Sequence, residues 1–251
     1  MKLARAVLAL GIFILGWRPA IADEWQFQLT PYLWLAGIKG EFGNGVAGGQ
    51  PPRVDASFDN LLSSLDMLFM GSFEARNGRW GVLGDVVYLS FSKEASIKLA
   101  PNLPSPGVKL DAEFDGTILS LGATYRIATG ATTVDVLGGL RYYSLKPSVS
   151  VTIGPVQRVV EPNSDWTDPI IGMRARHQFS PKWAVNGYAD IGGFGVGSDF
   201  TYQVYVGMEY AFTKTFSANL GYRQLYVDYK KDDRKIDLTF GGAMVGIGIR
   251  F

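Results

Sequence analysis

Gly242-Ala-Met-Val-Gly-Ile-Gly-Ile-Arg-Phe251 is the stretch that decides the fold. Read back from the end, Phe251, Ile249, Ile247, Val245 and Ala243 fall on one face of an extended chain. Arg250, Gly248, Gly246, Met244 and Gly242 fall on the other. A period of two marks a β-strand, here with one apolar face and one small or polar face. A soluble domain seldom ends on an apolar strand closed by Phe. A transmembrane β-barrel does, because its last strand meets lipid on one side and the lumen on the other.

The beginning of the chain agrees. Lys2 and Arg5 form a basic region, Ala6 to Trp17 an apolar one too short to span a bilayer, and Ala20-Ile21-Ala22 a small-x-small cleavage site. Residues 1–22 therefore read as a secretory signal peptide, and residues 23–251 as one outer-membrane β-barrel domain. Removing Lys2, Arg5 and Arg18 takes the basic count of 24 below the acidic count of 23, so the exported chain gives no reason to expect nucleic acid. With no Cys, disulfides, thiolate metal sites and lipidation at a leading Cys are all excluded. After the signal no run approaches the ~18 apolar residues of a transmembrane helix. The chain nevertheless carries 31 Gly and 13% aromatic residues, which suits tilted strands that cross a membrane one face at a time.

Turn chemistry divides the domain. Arg76-Asn-Gly-Arg79, Ala128-Thr-Gly-Ala-Thr132, Ser180-Pro-Lys182 and Thr213-Lys-Thr215 read as tight hairpins. Between them alternate the connections 43–65, 94–108, 147–163, 195–199 and 230–235, three of them long. The strands fall near 25–42, 66–76, 79–93, 109–127, 132–146, 164–179, 182–194, 199–212, 216–229 and 236–251. About ten strands, all-β, antiparallel and up-and-down, give an even number with both ends on one side. Short turns then face the periplasm and long loops the outside. Tyr202, Val204, Val206, Met208, Tyr210 and Phe212 illustrate the outward face. Trp25, Phe73, Trp80, Tyr125, Phe179, Trp183, Phe212, Phe216 and Phe251 would form one interfacial girdle, and Tyr88, Tyr142, Trp166, Tyr202 and Tyr226 the other. A soluble sandwich or lipocalin-like barrel explains the alternation but not two aromatic rings around a lipid-like face.

Thr30-Pro-Tyr-Leu-Trp34, Asp168-Pro-Ile-Ile-Gly-Met-Arg174, Ala189-Asp-Ile-Gly-Gly-Phe-Gly-Val-Gly-Ser-Asp199 and Gly221-Tyr-Arg-Gln-Leu-Tyr-Val-Asp-Tyr229 resemble stretches of small, mostly uncharacterised Gram-negative outer-membrane β-barrel proteins. The likeness runs over essentially the whole exported chain. It implies location and fold, and no activity. The end also resembles the assembly signal of such proteins, with Gly246, Ile249 and Phe251 on motif positions. Met244 stands where that signal usually has a polar residue, and Ile249 where an aromatic is common. Periplasmic chaperones and the barrel-assembly machinery are the partners this implies, with outer-membrane lipid and lipopolysaccharide around the finished barrel.

By phase, Glu74, Asp85, Asp168, Asp190 and Glu209 point into the lumen, as do Arg141, Arg174, Arg176 and Arg223. Counted from the short turns, Asp85, Arg141, Arg174, Asp190 and Arg223 share a middle layer; Glu74, Arg176, Glu209 and Arg250 lie lower. Opposite charges in a narrow lumen should pair, with Arg binding carboxylates through its planar fork. The expected result is a salt-bridged plug and a structural or surface-interaction role. The alternatives are a narrow, porin-like passive channel for small solutes and, behind it, an outer-membrane enzyme.

Little else carries chemistry. The one His, His177, phases outward near a short turn, so no Ser-His-acid set can be built at the outer rim. Gly192-Gly-Phe-Gly-Val-Gly197 is followed by no helix and reads as a tight turn. Lys230-Lys-Asp-Asp-Arg-Lys235 reads as a solvated loop. No metal cluster and no cofactor are expected. Phe58, Leu61, Leu62 and Leu65 follow helical spacing, so connection 43–65 is expected to hold a short helix packed on either the barrel mouth or the lumen.

Overall fold

The period-two pattern becomes twelve strands in the computed structural model: β1 (Gln26–Asn44), β2 (Arg53–Ala56), β3 (Leu65–Asn77), β4 (Trp80–Ile97), β5 (Val108–Ala128), β6 (Thr132–Ile153), β7 (Val156–Val160), β8 (Ser164–Gln178), β9 (Trp183–Gly193), β10 (Phe200–Ala211), β11 (Phe216–Lys231) and β12 (Arg234–Arg250). The structure describes residues 24–44, 53–59, 65–97, 108–153, 156–160, 164–231 and 234–251. Ten of the strands form a closed antiparallel barrel, each paired with the next and β12 returning to β1. The closing ladder runs from Gln28↔Arg250 at one end to Asn44↔Arg234 at the other. Closure leaves the ten barrel strands without an edge, which a bilayer requires because lipid cannot satisfy unpaired backbone groups.

The short turns gather at one end with Gln26 and Phe251. Gly78, at φ 56°, supplies the left-handed residue that the Asn77–Gly78 hairpin needs. Phe27 and Phe251 exchange backbone hydrogen bonds of 3.0 Å in both directions and stack their rings 5.7 Å apart. Around this end Trp80 meets Tyr125 and Trp183 meets Tyr210, each at 4.8 Å.

The long-loop end departs from the sequence expectation. β4 runs to Ile97 and β6 to Ile153, because the β4–β5 and β5–β6 ladders continue as far as Ile97↔Val108 and Val108↔Ile153. Connection 43–65 holds β2, paired to β1 at Ile38–Glu41, and 147–163 holds β7, paired to β6. Of the expected helix, Phe58 and Asp59 are helical; Leu61 and Leu62 lie outside the described residues. Leu65 is a correction. It pairs with Phe91 as the first residue of β3, so its backbone belongs to a ladder. The expected signal peptide, residues 1–22, and Asp232–Asp233 also lie outside the described residues.

Along the strands the polarity of the two faces exchanges. On β12, Val245 and Ile247 are exposed on the outside while Gly246 and Gly248 face in; further up, Ile236, Leu238 and Phe240 face in and are buried. On β11, Leu220 and Tyr222 lie outside, and then Leu225, Val227 and Tyr229 lie inside. The short-turn half thus has an apolar exterior, including Leu121, Val206 and Leu220, each about 60% exposed, around a polar interior. Exposed apolar side chains in a continuous band mark a lipid-facing surface. The long-loop half has the polarity of a soluble protein. Tyr32, Trp34, Met70, Val87, Ile118, Tyr143, Leu145, Trp166 and residues of β11 and β12 form a hydrophobic core across its interior.

Trp166, expected in the outer girdle, faces the interior instead. It is 7% exposed and stacks between Tyr143, at 4.8 Å, and Tyr229, at 4.2 Å. It shares parity with the inward Asp168, and that parity decides its face.

Candidate functional site: the charged lumen

The middle of the lumen is crossed by two ion-pair assemblies. Asp85, Ser120 and Arg141 are partners in adjacent ladders and so share one level. Arg141 forks onto Asp190, Nη1 to Oδ1 at 3.0 Å and Nη2 to Oδ2 at 2.5 Å, and its Nε donates to Ser120 Oγ at 3.0 Å. Arg141 is fully buried. Beside it, Arg223 donates from Nη2 to Asp85 at 2.8 Å and to Gln203 at 2.7 Å, and from Nη1 to the Tyr32 hydroxyl at 2.6 Å. Tyr32 in turn donates to Asp85 at 2.8 Å. The Arg223 guanidinium also lies 4.7 Å from the centre of the Trp34 ring. Bidentate geometry and near-complete partnering let buried charges be tolerated; among the described residues only Arg223 Nε of these two guanidiniums is buried without a partner.

Arg174 does not join that level. It reaches towards the short turns, where its Nε bonds Asp135 at 2.8 Å and its Nη1 bonds Glu74 at 2.8 Å; Nη2 also bonds Glu74. Arg76 bridges the same two acids, at 2.7 Å to Asp135 and 3.0 Å to Glu74, and Arg126 binds Asp135 at 2.8 Å. A second lower cluster joins Glu209 to Arg176 at 3.0 Å and to Arg250 at 2.6 Å. The lumen residues singled out by sequence thus fall into four groups: Arg141 with Asp190, Arg223 with Asp85, and the two lower clusters of Glu74 with Arg174 and of Glu209 with Arg176.

Asp168 meets no Arg within ion-pair distance among the described residues. It accepts from Ser198, N at 2.6 Å and Oγ at 2.7 Å, and from Trp166 Nε1 at 3.3 Å. This docks the β9–β10 turn against the interior. Gly197 allows it, since a Cβ there would lie 2.5 Å from Asp168 Oδ1. The left-handed Phe194, at φ 51°, turns the chain between Gly193 and Gly195.

Arg76, Arg126, Asp135 and Tyr32 were missed in the sequence, although parity carried the signal. Arg76 is two residues from Glu74 but looked like part of the hairpin. Asp135 is in phase with Arg141 near the start of β6. The other marked residues have plain positions. His177 is exposed on the outer surface, its Nδ1 2.7 Å from Thr132 Oγ1. Gly246 is buried against Tyr32, with Phe251 exposed at the barrel end. Phe58 and Leu65 line one small apolar cavity of about 50 Å³ in the long-loop half. No group of acids and His able to hold a metal occurs among the described residues.

Below the middle layer the lumen opens into a vestibule of about 1030 Å³. Its lining runs from Asp85 and Arg223 at the roof to Phe212, Lys214 and Phe251 at the mouth. Above the roof stand Tyr143, Leu225, Val227 and Ile236, at most 1% exposed.

No protein-family model and no curated protein matches this chain. Among solved structures it is similar to the outer membrane protease OmpT from Escherichia coli, with 10% identity over 93% of this chain and 99% of that one and a TM-score of 0.57. It is also similar to the translocator domain of the autotransporter NalP from Neisseria meningitidis, with 13% identity over 98% and 93% of the two chains and a TM-score of 0.41. A third likeness is to Ail, the attachment invasion locus protein of Yersinia pestis, with 15% identity over 90% and 98% and a TM-score of 0.37. At this identity the first of these shows a shared outer-membrane β-barrel fold, and function must be argued from the residues present.

Proposed function

We propose that this chain is an integral outer-membrane barrel, with its short turns in the periplasm, whose lumen is closed to through-flow. Its role is then structural or surface-interactive, carried by the long-loop half that stands above the lipid-facing band. The observation that supports this most directly is the bidentate Arg141–Asp190 pair, without exposed side-chain surface, beneath a continuous apolar core. A hydrated ion crossing that level would have to part a buried pair and then wet an apolar interior, both costly steps. The vestibule favours a second reading, a narrow passive channel, since it already opens half of the path. Planar-bilayer recording of the refolded protein separates the two. The closed reading predicts no steady unitary conductance, and a reproducible open level in the wild type contradicts it.

A further inference from the structure

The vestibule does not balance as a set of charges. Six guanidiniums and four side-chain carboxylates line it. Arg223 and Asp85 neutralise each other at the roof. In the first lower cluster Glu74 and Asp135 are shared by three Arg, namely Arg76, Arg126 and Arg174. In the second, Glu209 is shared by Arg176 and Arg250. Each cluster carries one guanidinium more than it has carboxylates, and Lys182 and Lys214 add positive charge at the mouth.

The surplus donors are also placed to be used. Arg126 bonds Asp135 through Nε and Nη2. Arg250 bonds Gln28 through Nε and Glu209 through Nη2. Nη1 of each lies outside these bonds, and the two side chains are 23% and 34% exposed. Positive charge held in a concave space with low-dielectric walls focuses the field and concentrates anions. A guanidinium with a free edge matches the geometry of an oxyanion. The volume is of the order found for small-molecule pockets, roughly 300–1,000 Å³.

We infer that the vestibule is a binding site for a small multivalent oxyanion, taken from the short-turn side and held by the surplus guanidiniums of Arg126 and Arg250. Ligand enters and leaves by one mouth, so the site does not depend on whether the barrel conducts.

The test is calorimetric titration of the refolded protein, in zwitterionic micelles at low salt, with pyrophosphate and separately with citrate. A polyphosphate and a polycarboxylate share the required charge and distinguish the two sources of oxyanion. Saturable binding of at least one is expected, weakened by roughly tenfold or more in Arg126→Gln/Arg250→Gln. That double variant should keep the wild-type urea midpoint, because each cluster is left balanced. If it does not refold, the single variants carry the test, each weakening binding several-fold. Absence of saturable binding for both anions overturns the inference, as does wild-type affinity in the variants. So does loss of all binding in Lys182→Gln/Lys214→Gln, which would assign the anion to the mouth lysines.

Discussion

The two halves of this lumen are lined by the same strands in the same alternation, yet they are built oppositely. In the short-turn half the interior is Arg, Asp, Glu and amide around an open vestibule, inside an apolar exterior. In the long-loop half the interior is Trp, Tyr, Leu, Val and Ile, and the exterior of β12 turns to Lys235, Asp237 and Thr239. The difference teaches that period two fixes which residues share a face, whereas the solvent on each side decides which face is apolar. Where lipid surrounds the barrel, the outside is apolar. Above that band the outside meets water, and the interior becomes the only place to bury apolar surface. The Arg141–Asp190 and Arg223–Asp85 pairs sit where one regime gives way to the other.

That contrast can be broken at its boundary first. Arg141→Ala leaves Asp190 buried without its partner, a loss of about 3–5 kcal/mol for a fully buried pair. The urea midpoint should fall accordingly, and adding Asp190→Asn should recover part of it. A midpoint equal to wild type would mean that water already reaches this level. Within the apolar core, Leu225→Ala removes a fully buried side chain and should cost about 2–5 kcal/mol. The loss should appear as protease sensitivity of the long-loop half with a heat-modifiable barrel still present. In the vestibule, Arg126→Gln should change the midpoint by less than about 1 kcal/mol, since a partly exposed, surplus charge is removed. A large loss there would show that the vestibule is as dry as the core.

The smallest effect belongs to the rim. Lys235 beside Glu41 holds that carboxyl below its ordinary range, at a half-buried position outside the lipid-facing band. A depressed carboxylate stabilises above its unfolded pKa, and that contribution fades as pH falls through the lowered value. For a pair at the solvated rim, Lys235→Ala should shift the acid unfolding curve only slightly. A clear shift would mean that the rim pairs are more sheltered than their exposure indicates.

The barrel was largely legible in the sequence because its signals are local. Apolar alternation, Asn-Gly and Pro-Lys turns and aromatic girdles need no knowledge of distant contacts. Most of the inward charges followed from parity as well. Their pairing did not, because it depends on strand tilt and shear. Arg174 opposes Asp135 on the neighbouring strand and also reaches Glu74 across the lumen, which counting from a turn cannot reveal. Trp166 and the core of Leu225, Val227 and Ile236 were misread or passed over for another reason. One rule, polar inside, was carried along the whole strand, whereas the composition of β11 and β12 exchanges faces midway. The Phe58–Leu65 spacing fitted a helix, but Leu65 had a ladder partner in Phe91 that outweighs a short local pattern.

The most direct test of the account is whether water reaches one half of the lumen and not the other. The chain has no Cys, so single cysteines report cleanly. Asn186→Cys would sit on the vestibule wall and Val227→Cys in the apolar core. The folded barrel is exposed to a small, charged, membrane-impermeant maleimide, and labelling is followed by mass. Asn186→Cys should label rapidly, and Val227→Cys not at all until urea unfolds the protein. Comparable labelling of both in the folded state would show a continuous wet path and contradict the closed lumen.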